Sequence, residues 1–424
     1  MQSVCESLMG MVLRQSSGFA WQATGSRAAG WAALLQRRAI LARTLWRAER
    51  AALAKLSPML LLVSAFAVSF LVTLVIVRGA KRLERMVGDH DLSGPQKFHF
   101  QAVPRIGGLG IVLGVAAGTA VLAWGEPATA AWSAVFLGCA LPAFGAGIAE
   151  DLTKTQSPRR RLFFTVISAG LAVWLLQAAI RRTDIPGLDW IVGFPLGALL
   201  VTVFVVAGVA NAVNIIDGFN GLASMCVVIM LIGLAYVAFA VDDRLIALLA
   251  LAGVGAVLGF FVWNYPAGLV FLGDGGAYFL GFYLAELAIL LLHRNPSVSP
   301  MFPLLLCLYP VFETLFSIYR RKWLRGVPVG MPDGAHLHSL IYRRFLRWAA
   351  GERSARELTR RNSMTSPYLW MLCSLSVLPA VLWFDSSAIQ GVFIVLFGAS
   401  YVFLYWRIVR FKAPRWLALR QRKP

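Results

Sequence analysis

Charge is what this chain has least of. Of its 424 residues only 14% are Asp, Glu, Lys or Arg, whereas 58% are hydrophobic. Soluble domains are about a quarter charged, so an ordinary soluble enzyme is excluded, and the missing charge corresponds to surface that faces lipid. Cysteine is scarce too. The five, at 5, 139, 226, 307 and 373, show no paired spacing, and all but Cys5 lie in apolar runs. This excludes a disulfide or zinc framework and leaves small buried hydrophobes. No GxxxxGK[ST] loop is present, which excludes nucleotide hydrolysis of the P-loop kind. Low hydrophobicity is absent as well: 27 Phe and 14 Trp exclude a disordered chain.

What the chain does have is long apolar runs. A bilayer-crossing helix needs about 20 mostly apolar residues. Such windows fall at 58–77, 106–125, 130–149, 162–180, 191–210, 222–241, 245–263, 269–292, 301–319, 367–384 and 388–406, and none contains Lys or Arg. These runs lack the period-two alternation of a barrel, so helices must satisfy the backbone in hydrocarbon. The expectation is an all-α polytopic membrane protein of about 11 transmembrane helices. The net charge of +20 then marks a membrane face and not a nucleic-acid footprint. The connections on one side, with the C-terminal tail, hold 28 Lys and Arg; those on the other hold only Arg181, Arg182, Arg244 and Arg294. The rich side is expected to be cytoplasmic. It carries a large loop at 320–366 and a basic tail at 407–424, so residues 58–406 form the membrane domain.

The polar residues of that side are concentrated in five blocks. The first loop carries Lys97-Phe-His99 and then Val103-Pro-Arg105-Ile-Gly107-Gly108 at the mouth of the second helix. The third helix ends in Glu150-Asp151, a pair of acids that Arg159 to Arg161 could neutralise. Asn211, Asn214, Asp217 and Asn220 follow at spacing three, which on a helix places them along one face beside an apolar run, where unpaired polar groups are costly. Next come Asn264-Tyr-Pro266-Ala267 and Phe271-Leu-Gly273-Asp274-Gly275-Gly276. An aspartate at a membrane edge with no positive sequence neighbour is a functional candidate, since the alternative is a stranded charge. The 320–366 loop carries Pro332-Asp333-Gly334-Ala335-His336-Leu337-His338. Asp151, Asn214, Asp217 and Asp274 offer hard oxygens suited to Mg²⁺, which is usually completed by phosphates and water. Lys97, Arg105, His336 and His338 could neutralise those phosphates. Phosphoryl transfer from a diphosphate to a membrane acceptor is the chemistry this composition suggests.

Taken in order, K-x-H, VPRxGG, GxxED, NxxNxxDGxNG, NxPAxxFxGD and PDxxHxH resemble the polyprenyl-phosphate N-acetylhexosamine-1-phosphate transferases, glycosyltransferase family 4. The resemblance runs from Arg78 to Arg344. It implies transfer of a sugar 1-phosphate from a UDP-sugar donor to undecaprenyl phosphate, with release of UMP and a need for Mg²⁺, for which Mn²⁺ can substitute. It implies Asp274, Asn214 and Asp217 as metal ligands, and Asp151 as the carboxylate that deprotonates or orients the lipid phosphate, with Glu150 and Asp217 beside it. Lys97, His99, Arg105, Asn211, Asn220, Asn264, His336 and His338 are implied on the substrate side. A bacterial inner membrane location, a cytoplasmic active site and a homodimer are further expectations, and no nucleic-acid partner is expected.

This chain departs from the family pattern at Glu150, where many members have Asp, and at Asn220, which replaces a second Asp. The VPRxGG and PDxxHxH blocks resemble the branch that starts O-antigen and related surface polysaccharides. The cell-wall branch, acting on UDP-N-acetylmuramoyl-pentapeptide, carries a GTPTMGG-like loop and consecutive histidines, and is the alternative. A transporter is the competing class; it should show an internal repeat and midplane charges, whereas no repeat is found and the acids Glu286 and Glu313 stand isolated in their spans. Residues 1–57 carry eight basic residues on the side that is otherwise poor in them. They are read either as an amphipathic surface helix from Ala28 to Leu56 or as an extension upstream of a true start at Met59. The second reading is preferred because every motif lies downstream of it.

Overall fold

The computed structural model describes residues 58–87, 103–125, 127–326, 334–345 and 355–410, all within the unit Leu56–Pro424. The expectations for residues 1–57, for Lys97, His99 and Asp333, and for most of the 407–424 tail lie outside the described residues. The helices are α1 (Pro58–Val87), α2 (Gly107–Gly125), α3 (Pro127–Thr153), α4 (Pro158–Leu176), α5 (Leu188–Val192), α6 (Pro195–Ile216) and α7 (Leu222–Ala240). They continue as α8 (Arg244–Asn264), α9 (Gly273–Arg294), α10 (Phe302–Leu306), α11 (Leu308–Tyr319), α12 (Leu337–Leu340), α13 (Ala355–Leu382) and α14 (Ser387–Val409). With no strand among the described residues, this is an all-α polytopic membrane protein.

Each start has a local cause. Ser157 Oγ accepts the Arg160 amide at 3.3 Å and Pro158 occupies the first turn of α4. Proline there gives up no helical hydrogen bond. Pro195 opens α6 in the same way. Asp243 and Ser386 cap α8 and α14 through Ile246 and Ile389.

Nine described helices are long and apolar enough to cross a membrane, two fewer than the apolar windows. The window at 162–180 is α4, which begins at Pro158 and includes Arg159 to Arg161 in its first turn. The window at 301–319 is two helices, α10 and α11, with a break at Cys307. A continuous hydropathy run does not reveal such a break, because the residues around it are as apolar as those of a straight helix.

Helix α9 is the centre of the bundle. Every residue from Gly273 to Leu292 is buried, with α2, α3, α4, α6, α7 and α8 packed around it. Helices α1 and α14 lie at the margin and expose Leu60, Val75, Val395 and Phe403. Lipid tails are as apolar as leucine, so close backbone approach, not apolar burial, holds membrane helices together. Here glycines supply it. A Cβ on Gly108 of α2 would stand 2.3 Å from the Gly276 backbone, and one on Gly147 of α3 would stand 2.5 Å from that of Gly275. The glycines of the VPRxGG, GxxED and GD blocks are thus the contact surfaces that seat α9 between α2 and α3.

Candidate active site

The site is built at the N-terminal end of α9. Three backbone bonds tie the loop before α2 to the loop before α9: Phe271 N to Pro104 O at 2.8 Å, Gly107 N to Phe271 O at 3.0 Å, and Gly108 N to Leu272 O at 2.9 Å. Gly273 then turns with φ of 75°, a left-handed conformation suited to glycine, and a Cβ there would strike Arg105 O. The register of these bonds sets Arg105 beside Asp274, with its guanidinium 3.9 Å from Oδ1.

No side chain of its own caps α9. Asp151, at the end of α3, does this across the bundle: its two oxygens accept the Asp274 and Gly275 amides, each at 2.8 Å. A carboxylate at a helix N-terminus satisfies orphan amides and meets the positive end of the helix dipole. Glu150 turns away, its Oε2 accepting the Gln156 amide at 2.6 Å.

Asp274, in the first turn, is buried. Asn214 donates to its Oδ1 at 2.9 Å and the Arg161 guanidinium contacts its Oδ2. Asp274 therefore has a cationic partner that its sequence neighbours do not reveal. Arg159 to Arg161 were expected to neutralise Glu150 and Asp151; Arg161 instead reaches Asp274 and stands 5.8 Å over the Tyr278 ring. Its Nε is buried and makes no hydrogen bond. Tyr278 in turn donates to Asn211 Oδ1 at 3.3 Å. Asn211 and Asn214, three apart on α6, thus meet Tyr278 and Asp274, four apart on α9.

The ladder at spacing three stops there. Helix α6 ends at Ile216 and Asp217 is its C-cap, so Asn220 does not share the face. Asn220 is buried and braces loops instead, giving Nδ2–H to Pro266 O at 3.2 Å and its amide to Asn362 Oδ1 at 2.9 Å. Asn264 does likewise, accepting the Gly221 amide at 2.6 Å and donating to Val270 O at 2.7 Å. The hydrogen bonds of both residues join segments of the protein. Desolvation pushes the Asp217 carboxyl up to about 7, against the pull of Arg105.

The two histidines close over the same corner. His338 lies above Gly218, where an added Cβ would be 3.2 Å from its Nε2, and its ring meets Phe219 edge-on at 5.4 Å. His336 stacks on His338 with ring centres 5.2 Å apart. Its Nδ1 is 2.9 Å from Glu313 Oε1, so Glu313, expected to be isolated, is a partner of the loop. A carboxylate in an apolar run was the available signal for it. Glu286 remains as expected, buried in α9 with no hydrogen bond to either oxygen.

By donor type, Asp274, Asn214 and Asp217 fit a hard divalent cation, and the carboxyl of Asp217 is one that the protein alone leaves under-neutralised. Among the described residues no three His, Cys, Asp or Glu side chains converge, so phosphate and water oxygens would have to complete such a shell, as is usual for Mg²⁺. Arg105 and Arg161 supply positive charge, and His336 and His338 supply ring nitrogens, for a phosphorylated ligand.

Residues 133–292 match glycosyl transferase family 4, a stretch that includes Asp151, the α6 ladder and Asp274. Among curated relatives, a Bacillus subtilis (strain 168) protein named "Probable undecaprenyl-phosphate N-acetylglucosaminyl 1-phosphate transferase" is 34% identical over 285 residues, 66% of this chain and 77% of that protein. An undecaprenyl-phosphate alpha-N-acetylglucosaminyl 1-phosphate transferase of Thermotoga maritima is 28% identical over 285 residues, 66% of this chain and 81% of the relative. A phospho-N-acetylmuramoyl-pentapeptide-transferase of Streptococcus mutans is 36% identical over 148 residues, 34% of this chain and 41% of its own. Matched over three quarters of the first relative, and with Arg105, Asp151, Asn214 and Asp274 brought together at the N-terminal end of α9, the chain belongs to the polyprenyl-phosphate N-acetylhexosamine-1-phosphate transferases, glycosyl transferase family 4.

Proposed function

We propose that the chain transfers an N-acetylhexosamine 1-phosphate from a UDP-sugar to undecaprenyl phosphate, releasing UMP, at the cytoplasmic face of a bacterial inner membrane. The step begins a surface polysaccharide such as O-antigen. The observation that carries this reading is the convergence at Asp274: Asn214 at 2.9 Å, Arg105 at 3.9 Å and Arg161 in contact, at the mouth of a helix buried from Gly273 to Leu292. An acceptor phosphate oxygen attacks the donor phosphorus that bears the sugar. The bond from that phosphorus to the bridging oxygen breaks, and the oxygen leaves with UMP. Arg105, Arg161, His336 and His338 bind and orient the phosphates as charge spreads over their oxygens. Asp151 holds the first turn of α9, and so Asp274, in place. Mg²⁺, held by Asp274, Asn214 and Asp217, would neutralise the diphosphate when bound.

The test is UMP release by purified protein given undecaprenyl phosphate, Mg²⁺ and a panel of UDP-sugars. UDP-N-acetylglucosamine comes first, since the names of two relatives specify that sugar. Turnover with it, abolished by EDTA and restored by Mg²⁺, is expected. Turnover only with UDP-N-acetylmuramoyl-pentapeptide would move the chain to the cell-wall branch. No turnover with any UDP-sugar, together with uptake of one into liposomes, would make it a transporter.

A further inference from the structure

A second polar network lies beneath the histidine loop, and it belongs to neither the acids nor the arginines around Asp274. Glu313 of α11 is fully buried, yet both its oxygens are engaged. Oε1 accepts the Leu337 amide at 3.2 Å and lies 2.9 Å from His336 Nδ1. Oε2 accepts the Tyr401 hydroxyl at 2.5 Å. One turn further along α14, Tyr405 donates to Ala335 O at 3.1 Å and receives a bond from Arg320 at 2.7 Å. Arg320, just past the end of α11, also donates to Ala335 O at 2.5 Å. Glu313, Arg320 and Tyr405 therefore grip the backbone of Ala335 and Leu337 and one ring nitrogen of His336, and Tyr401 braces Glu313 from α14. A histidine held at Nδ1 by a buried carboxylate has its tautomer and ring direction fixed, and only Nε2 is left to meet a ligand. The two tyrosines are unexpected on a helix whose outer face is lipid; the Tyr405 hydroxyl goes to this loop and the Tyr401 hydroxyl to the carboxylate that holds it.

We propose that Glu313, Tyr401, Arg320 and Tyr405 are positioning residues for the UDP-sugar donor: they hold His336 so that Nε2 faces the diphosphate, making the C-terminal helix α14 part of the donor site. This rests on the reading above, in which the histidine loop meets the donor. The experiment uses the full chain with Glu313→Gln, Glu313→Leu, Tyr401→Phe, His336→Ala and the double variant of Glu313→Leu with His336→Ala. Gln can still accept from the loop and donate to Tyr401, so Glu313→Gln should stay near wild type. Glu313→Leu should lower donor kcat/KM by about 10- to 100-fold, typical of a lost orienting partner, with the acceptor KM unchanged. In the His336→Ala background the same change should cost almost nothing further. Additive losses, or a matching rise in acceptor KM, would overturn the proposal and leave a purely structural role.

A readout free of activity keeps the proposal testable if a leucine variant fails to fold or if no UDP-sugar is turned over. The ¹⁵N resonances of His336, identified by their loss in His336→Ala, should report a protonated, hydrogen-bonded Nδ1 in the wild type. Tyr401→Phe should shift them. Unchanged resonances in both Tyr401→Phe and Glu313→Gln would overturn the clamp whatever the reaction proves to be. Normal donor kinetics in His336→Ala alone would instead remove the donor reading.

Discussion

Asp274 and Asp151 are both buried carboxylates at one helix end, yet their surroundings give them different work. Asp274 faces an amide and two guanidinium groups, so its charge is available to a cation or a phosphate-bound arginine. Asp274→Asn keeps an oxygen for Asn214 but removes the charge that Arg105 and Arg161 face. Turnover is expected to fall by about 100-fold or more, with a lower melting temperature in detergent because Arg161 loses its partner; a folded variant of near wild-type turnover would remove Asp274 from the proposed metal site. Asp151, by contrast, accepts two backbone amides, and replacement by Asn sets an NH₂ against one of them. Losing one charge-assisted bond costs about 1.5–3 kcal/mol. Asp151→Asn should therefore melt at a lower temperature and turn over slowly while binding the UDP-sugar nearly as well as wild type, which calorimetry can measure. Asp274 and Asn214 are legible together in the sequence from donor type and from the family resemblance of their motif blocks. The work of Asp151 is not, since its partners are backbone amides more than a hundred residues away, and an amide leaves no trace in a sequence. Asn220 misled for a related reason: its spacing was right, but the helix that would have carried it stops at Asp217.

At the scale of elements, the apolar runs located every described helix long enough to cross a membrane, whereas the short helices α5 and α12 left no such run. The glycines needed the structure. VPRxGG and GDGG read as loop signatures, whereas Gly108, Gly147, Gly275 and Gly276 are where three helices touch. This gives a prediction about packing, not chemistry. In Gly147→Ala the new methyl would meet the Gly275 backbone at 2.5 Å, and backbone cannot step aside as a side chain can. Helices α3 and α9 must separate, drawing Asp151 away from the amides it holds. Overpacking of this kind costs about 1–3 kcal/mol, and the loss of turnover should resemble that of Asp151→Asn although no reacting group has changed. Gly145→Ala, on the same helix, meets nothing within 4 Å among the described residues; it is the control and should be silent in both melting and turnover. The break at Cys307 was hidden for the opposite reason: α10 and α11 are both apolar, and hydropathy sees composition, not direction.

For the whole molecule, 28 basic residues against 4, counted over the eleven apolar windows, support the proposed orientation, with the histidine loop and the C-terminus in the cytoplasm. A reporter fused after Pro424 that is active only in the periplasm should stay dark, and one that is active in the cytoplasm should signal; the reverse pattern would invert the topology. A different consequence follows from the contrast between α9 and α14. The first is sealed on every side by protein, while only 22% of the apolar window of the second is buried. Bilayer thickness acts on helices that touch lipid, at a fraction of a kcal/mol per Å of mismatch, so α9 and Asp274 feel a thinner or thicker membrane only at second hand. Helix α14 feels it directly, and Tyr401 and Tyr405 carry that tilt to the histidine loop. In vesicles of graded acyl-chain length, the donor KM is expected to drift with thickness while the Mg²⁺ requirement stays fixed. The membrane would then act as a dial on one substrate of the reaction, turned by the last helix of the chain.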